Sequence, residues 1–104
     1  MKSTPENKIK KQLIALLDAY GVFHWPAAAS PYGVGGVPDR LAVVKGWVIG
    51  LECKAPGKGP TVMQAKFGVD LKNAGGIWML IDGDAKLYAL EVLLTGLGLR
   101  KKEG

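Results

Sequence analysis

The sequence predicts an α/β domain, a mixed β-sheet flanked by helices, in the order α-β-β-β-α-β-β. Three observations carry this. Ile9, Leu13, Leu16, Leu17 and Tyr20 recur at helical spacing. Residues 39–54, DRLAVVKGWVIGLECK, read as two apolar strands around a tight Lys45-Gly46 turn. Residues 61–81 pass from a capped helix through Gly75-Gly76 into the unbroken apolar run IWMLI. One helix therefore covers the sheet at the start and a second crosses over in the middle.

Taken in order, the first helix opens at Ser3-Thr4-Pro5-Glu6. Ser3 is the expected N-cap, Pro5 suits the first turn, and Glu6 follows Ser3 at capping-box spacing. Gly21 stops the helix. Residues 22–25, VFHW, form a short strand. Residues 26–38 form a loop rich in Ala, Gly, Pro and Ser, of a length that is often functional. The hairpin strands occupy 39–44 and 47–54, and APGKGP at 55–60 is a basic, flexible loop. Thr61 caps a helix that runs to about Ala74. Residues 77–81 form a strand expected to be buried on both faces. Asp82-Gly83-Asp84 turns the chain into a last strand at 85–89. Residues 90–97 read equally as a short helix or an apolar lid, and 100–104 as a charged tail.

The 104 residues suit one domain, and 48% hydrophobic with 22% charged residues is a globular balance. No apolar run approaches the ~20 residues of a membrane span, and MKSTPENKIKK lacks the apolar core of a secretory signal. One cysteine excludes an intrachain disulfide, and beside a single histidine it cannot make a structural zinc site. A reducing cytoplasm is the expected location. The net charge of +5 is compatible with a polyanionic partner. If some acids hold a metal, the remaining surface is more basic still.

The chemistry concentrates on the hairpin. Side chains two apart on a strand share a face, so Glu52 and Lys54 project together and Cys53 points the other way. Antiparallel pairing brings Asp39, at the start of one strand, beside Glu52, near the end of the next. Two carboxylates so close raise each other's pKa. A divalent cation removes the conflict, and Mg²⁺, with Mn²⁺ able to substitute, is held by one or two carboxylates with waters and substrate phosphate. The Cys53 carbonyl is a further candidate ligand. Lys54 cannot ligate a cation; its expected work is on the scissile phosphate or the attacking water. Taken singly, Asp39 reads as a turn residue, and Glu52 and Lys54 as solvent-facing neighbours. The apolar strand around them makes burial of the acid the better reading, and a buried acid needs a partner.

Gly36-Val37-Pro38-Asp39, twelve residues, then Glu52-Cys53-Lys54 resembles the motif of the PD-(D/E)xK nuclease superfamily, and more closely its virus-type replication-repair (VRR-Nuc) branch. Glu6 in the first helix and Gln64 in T-V-M-Q extend the resemblance, which covers residues 6–88. It implies a restriction-endonuclease-like core. It also implies metal binding by Asp39, Glu52, the Cys53 main chain and Glu6, a catalytic Lys54, and Gln64 lining the site. Glu6 and Gln64 also fit capping boxes with Ser3 and Thr61. The implied reaction is hydrolysis of DNA phosphodiesters to 5′-phosphate and 3′-hydroxyl ends, without a small-molecule cofactor, in a bacterial or phage-infected cell. Stand-alone members of that branch resemble Holliday-junction resolvases and act as homodimers, which suits the near-twofold symmetry of a four-way junction. The apolar stretches 77–80 and 90–99 are the expected interface.

Lys58, Arg40 and Lys66 are the leading candidates for contact with nucleic-acid phosphate, and Tyr32 for stacking on a base. Lys8, Lys10, Lys11, Lys45 and Lys72 are further phosphate candidates. His24 is expected to be packed or at the surface, and Cys53 to be a small buried hydrophobe. A flap or nicking endonuclease, or a non-catalytic nucleic-acid-binding module, is the alternative reading.

Overall fold

Residues 4–28 and 33–103 are described by the computed structural model. Thr4 caps the first helix, α1 (Pro5–Ala19), its hydroxyl accepting from the Asn7 amide at 3.1 Å. The cap thus lies one residue later than the sequence pattern suggested, and Ser3 falls outside the described residues. Ile9, Leu13 and Leu17 form the buried stripe of α1, as their spacing requires.

Four strands follow the expected positions closely: β1 (Phe23–Pro26), β2 (Arg40–Val44), β3 (Trp47–Cys53) and, after α2 (Val62–Asn73), β4 (Ile77–Ile81). They form one sheet in the order β1-β2-β3-β4. The β1–β2 and β2–β3 pairs are antiparallel and β3–β4 is parallel, so α2 is the crossover between parallel neighbours. At the hairpin turn Lys45 has φ +52° and Gly46 φ +85°. Two successive positive φ values match the turn whose twist suits a two-residue hairpin.

The last element departs from expectation. Residues 84–96 form a single helix, α3 (Asp84–Gly96), so the strand expected at 85–89 is absent and, of the two readings of 90–97, the helix is the one found. The element order is therefore α-β-β-β-α-β-α. Leu87, Leu90, Leu94 and Leu97 recur at helical intervals. Ala85, Lys86, Ala89 and Glu91 are strong helix formers. Asp84 adds a favourable acid to the first turn. The expectation for β4 also fails in part: it is an edge strand, fully buried only at Ile81.

The main core lies on one face of the sheet. Ile9, Leu13 and Leu17 of α1 meet Ala42, Val44, Ile49, Leu51, Cys53 and Ile81 of the sheet and Leu90 and Leu94 of α3. The opposite face carries α2, which approaches the sheet closely through small residues. A Cβ at Gly68 would lie 2.8 Å from the Trp78 ring, and one at Gly50 would lie 3.1 Å from Leu71. Leu90 and Leu94 are fully buried, and Leu93, Leu97 and Leu99 pack against the same core. The apolar stretch 90–99 is thus shared between the core, through Leu90 and Leu94, and the surface, where Val92 is 54% exposed. Phe23, 71% exposed, and Trp25, 37% exposed, are large apolar side chains left open on β1. Among the described residues, no helix is long and apolar enough to cross a membrane.

If α3 is core, Leu94→Ala should lower unfolding stability by ~2–5 kcal/mol, read from denaturant titration. A surface lid would lose almost nothing.

Candidate active site

The hairpin register places Arg40 opposite Leu51. One step further out, Asp39 therefore comes level with Glu52. Asp39 is anchored there: its Oδ2 accepts the Cys53 amide proton at 2.7 Å. Glu52 is a buried charged residue, only 3% exposed. Gly50, two residues earlier on the same strand, faces α2, and strand alternation puts Glu52 on that face. The Lys54 ammonium lies 3.9 Å from Glu52 Oε2 and is largely shielded from solvent. Asp39, Glu52 and Lys54 are thus gathered at one end of the sheet.

The electrostatics follow from that crowding. The Glu52 carboxyl is pushed up from 4.5 to about 7. Burial is the largest cause, then the neighbouring Asp39 carboxylate through repulsion and hydrogen bonding; Lys54 opposes the shift and Glu6 adds slightly to it. The Cys53 thiol is raised to about 12, chiefly by burial and then by Asp39. It points into the core, where it is an inert hydrophobe and not a nucleophile.

Glu6 reaches the cluster differently from expectation. Its Oε2 lies 3.3 Å from the Lys10 ammonium, which is also 3.4 Å from Asp39 Oδ1. A lysine therefore stands between the first-helix acid and Asp39. Among the described residues, no three His, Cys, Asp or Glu side chains converge tightly enough to hold a metal. The Asp39–Glu52 pair alone suits a hard cation: two oxygen donors, side by side, whose mutual repulsion a divalent ion would relieve.

Gln64 serves the helix. Its carboxamide oxygen accepts the Thr61 amide at 2.8 Å, and the Thr61 hydroxyl accepts the Gln64 amide at 3.2 Å, completing a capping box. The helix start nevertheless abuts the loop that carries Asp39. Gly36 has φ +72°, and a side chain there would run into the Met63–Gln64 peptide. Pro38 is fully buried beside it. This contact explains why the sequence reads Gly-x-Pro-Asp: the glycine fits under α2, and the proline stiffens the entry to β2.

The expected phosphate contacts scatter. Lys66 pairs with Asp70 along exposed α2 at 2.7 Å. The Arg40 Nε donates to His24 Nδ1 at 2.9 Å, and His24 Nε2 meets Asp18 Oδ1 at 2.7 Å. Nothing in the spacing of Asp18, His24 and Arg40 signalled that chain. Lys58 sits exposed on a turn closed by its own amide to the Ala55 carbonyl. Tyr32 lies outside the described residues. A cavity of about 200 Å³ touches Lys10, Asp39, Arg40 and Cys53. A larger groove of about 650 Å³, between the starts of α1 and α3, includes Lys8 and Asp84 but neither hairpin acid. The smaller cavity, not the larger groove, adjoins the chemistry.

No protein-family model matches the chain. It is 40% identical over 67 residues to the protein named "Putative nuclease p44" of Acyrthosiphon pisum secondary endosymbiont phage 1. The match spans 64% of this chain and 70% of that protein. The chain belongs to this nuclease family.

Two measurements probe the site. Gly36→Ala should cost ~2–4 kcal/mol, whereas Gly46→Ala, at φ +85° but with open space around it, should cost only ~1–2 kcal/mol. For pH, Glu52 holds its proton more tightly folded than unfolded. Its contribution to metal-free stability is therefore complete below about pH 4.5 and is lost as pH rises to about 7, a loss of roughly 2–3 kcal/mol. Thermal melts in chelator at pH 5 and pH 8 should show Glu52→Gln losing less stability over that interval than the parent.

Proposed function

We propose that this nuclease is a metal-dependent, structure-specific DNA endonuclease, acting as a homodimer on four-way junctions. The observation that carries the reading is the buried Glu52 carboxyl set against Asp39, with the Lys54 ammonium 3.9 Å from Glu52. The phage relative's printed name, a nuclease, agrees with it.

Asp39 and Glu52 would hold Mg²⁺, or Mn²⁺ in its place, with the main-chain oxygen of Cys53 as a further ligand. A bound divalent ion would supply a more acidic water and polarise the phosphoryl oxygen. The protein's own groups do the rest. The Cys53 amide keeps Asp39 Oδ2 fixed, which leaves Oδ1, 3.4 Å from the Lys10 ammonium, as the oxygen for a metal. Glu52 must be ionised to bind, and its raised value makes binding weaken below about pH 7. Lys54, held near Glu52 on the same strand face, orients the attacking water and balances charge growing on the scissile phosphate. In-line hydrolysis would leave 5′-phosphate and 3′-hydroxyl ends.

For the dimer, Leu90 and Leu94 are taken up by the core of the same chain, whereas Val92 stays 54% exposed on α3. The exposed Phe23 and Trp25, their ring centroids 5.2 Å apart on edge strand β1, are an aromatic pair open to a second copy.

Linear, flapped and four-way DNA, incubated with the parent, Glu52→Ala and Lys54→Ala proteins, test the reading. Mg²⁺-dependent cleavage of the four-way substrate is expected, with each substitution slowing it by about 10²-fold or more and chelator abolishing it. Preferred cutting of flaps would reassign the substrate. Full activity in chelator, or in Glu52→Ala, would remove the proposed mechanism.

A further inference from the structure

We propose that Lys10 is a built-in counter-cation of the site, bridging Glu6 and Asp39 in the metal-free protein and giving up Asp39 when a divalent ion binds. This rests on the metal-dependent reading above and adds to it a residue that competes with the ion.

The geometry makes the two cations rivals for one atom. Asp39 Oδ2 is committed to the Cys53 amide at 2.7 Å. Oδ1 is the oxygen left to face a metal, and Lys10 Nζ lies 3.4 Å from it. Lys10 stands one turn beyond Glu6 on α1, so both project from the same helix face, and the ammonium is 3.3 Å from Glu6 Oε2. Both distances exceed the ~2.7–2.9 Å of a tight charge-assisted bond. The ammonium is thus shared between two acids and not locked to either. A protonated lysine has no lone pair to offer a metal, so it cannot join the coordination and must yield. Room to yield exists: the stem is flexible, the side chain is 37% exposed, and Lys10 borders the small cavity beside Asp39 and Arg40. Glu6 stays within reach as the fallback partner. Lys10 is on this account a positioning residue, keeping Glu6 and Asp39 compatible before the metal arrives.

The test uses Mn²⁺ as the probe, titrated by electron paramagnetic resonance against the parent, Lys10→Met, Lys10→Arg and Glu52→Gln proteins. Thermal melts with and without Mg²⁺ accompany the titrations. Removing one positive charge several ångströms from a divalent ion should tighten Mn²⁺ binding about tenfold at water-like screening. Lys10→Met should show that gain and Lys10→Arg should not. Without metal, Lys10→Met should melt below the parent, and Mg²⁺ should narrow the gap. A merely structural lysine would leave the gap unchanged by Mg²⁺, and that result overturns the proposal. So does equal or weaker Mn²⁺ binding by Lys10→Met, with the metal reading intact if the parent binds and Glu52→Gln does not. Absence of Mn²⁺ binding by every protein overturns the metal reading itself. Should Lys10→Met fail to fold, Lys10→Gln, which keeps hydrogen-bonding capacity without charge, gives the same comparison.

Discussion

A single backbone proton organises the acidic end of this sheet: the Cys53 amide, donated to Asp39 Oδ2. It ties the first residue before β2 to the last residue of β3, beyond the final rung of their ladder. Without it Asp39 would be a loop acid free to turn to water. With it, Asp39 is held against Glu52, and the cost of that crowding appears in the raised Glu52 carboxyl. The apolar side chains of β3 contribute by anchoring the strand in the core, so that Glu52 cannot retreat to solvent. Folding energy from Ile49, Leu51 and Cys53 on one face thereby maintains an unfavourable electrostatic arrangement on the other.

Much of this was legible in the sequence, for reasons that can be named. The hairpin was readable because a two-residue turn fixes register, and register fixes which acids meet. The α1 stripe was readable because its period is unambiguous. The final helix was not. Ala85 to Ala89 follows a turn-like Asp-Gly-Asp and is too short to show a period by itself. Only when joined to the leucines beyond it does the helical repeat emerge. Treating the two segments separately turned the first turns of one helix into a strand and left the rest undecided between helix and lid.

The site was legible in its centre and less so at its margin. Asp39, Glu52 and Lys54 lie on or immediately beside the paired strands β2 and β3, where sequence distance translates directly into spatial distance. Glu6 and Gln64 lie on helices whose docking angles no local pattern encodes. Gln64 was ambiguous for a physical reason: the spacing that makes a capping box also places an amide at a helix start near the site, and here the cap holds its oxygen. Glu6 was read as a partner of the hairpin acids. Its spacing from Lys10 carried the missing information, since four residues along a helix set an acid and a lysine side by side.

The contact of Gly36 with the Met63–Gln64 peptide has a consequence for how this chain can change over time. Lengthening the chain at Gly75, at the far end of α2 with open space around it, does not touch Gly36. An insertion between Lys54 and Thr61 would instead re-aim the first turn of α2. Because that turn rests directly on Gly36, the shift would pass through Pro38 to Asp39. Two segments far apart in the chain are therefore bound to a common length constraint, and variation should concentrate on the opposite rim of the fold.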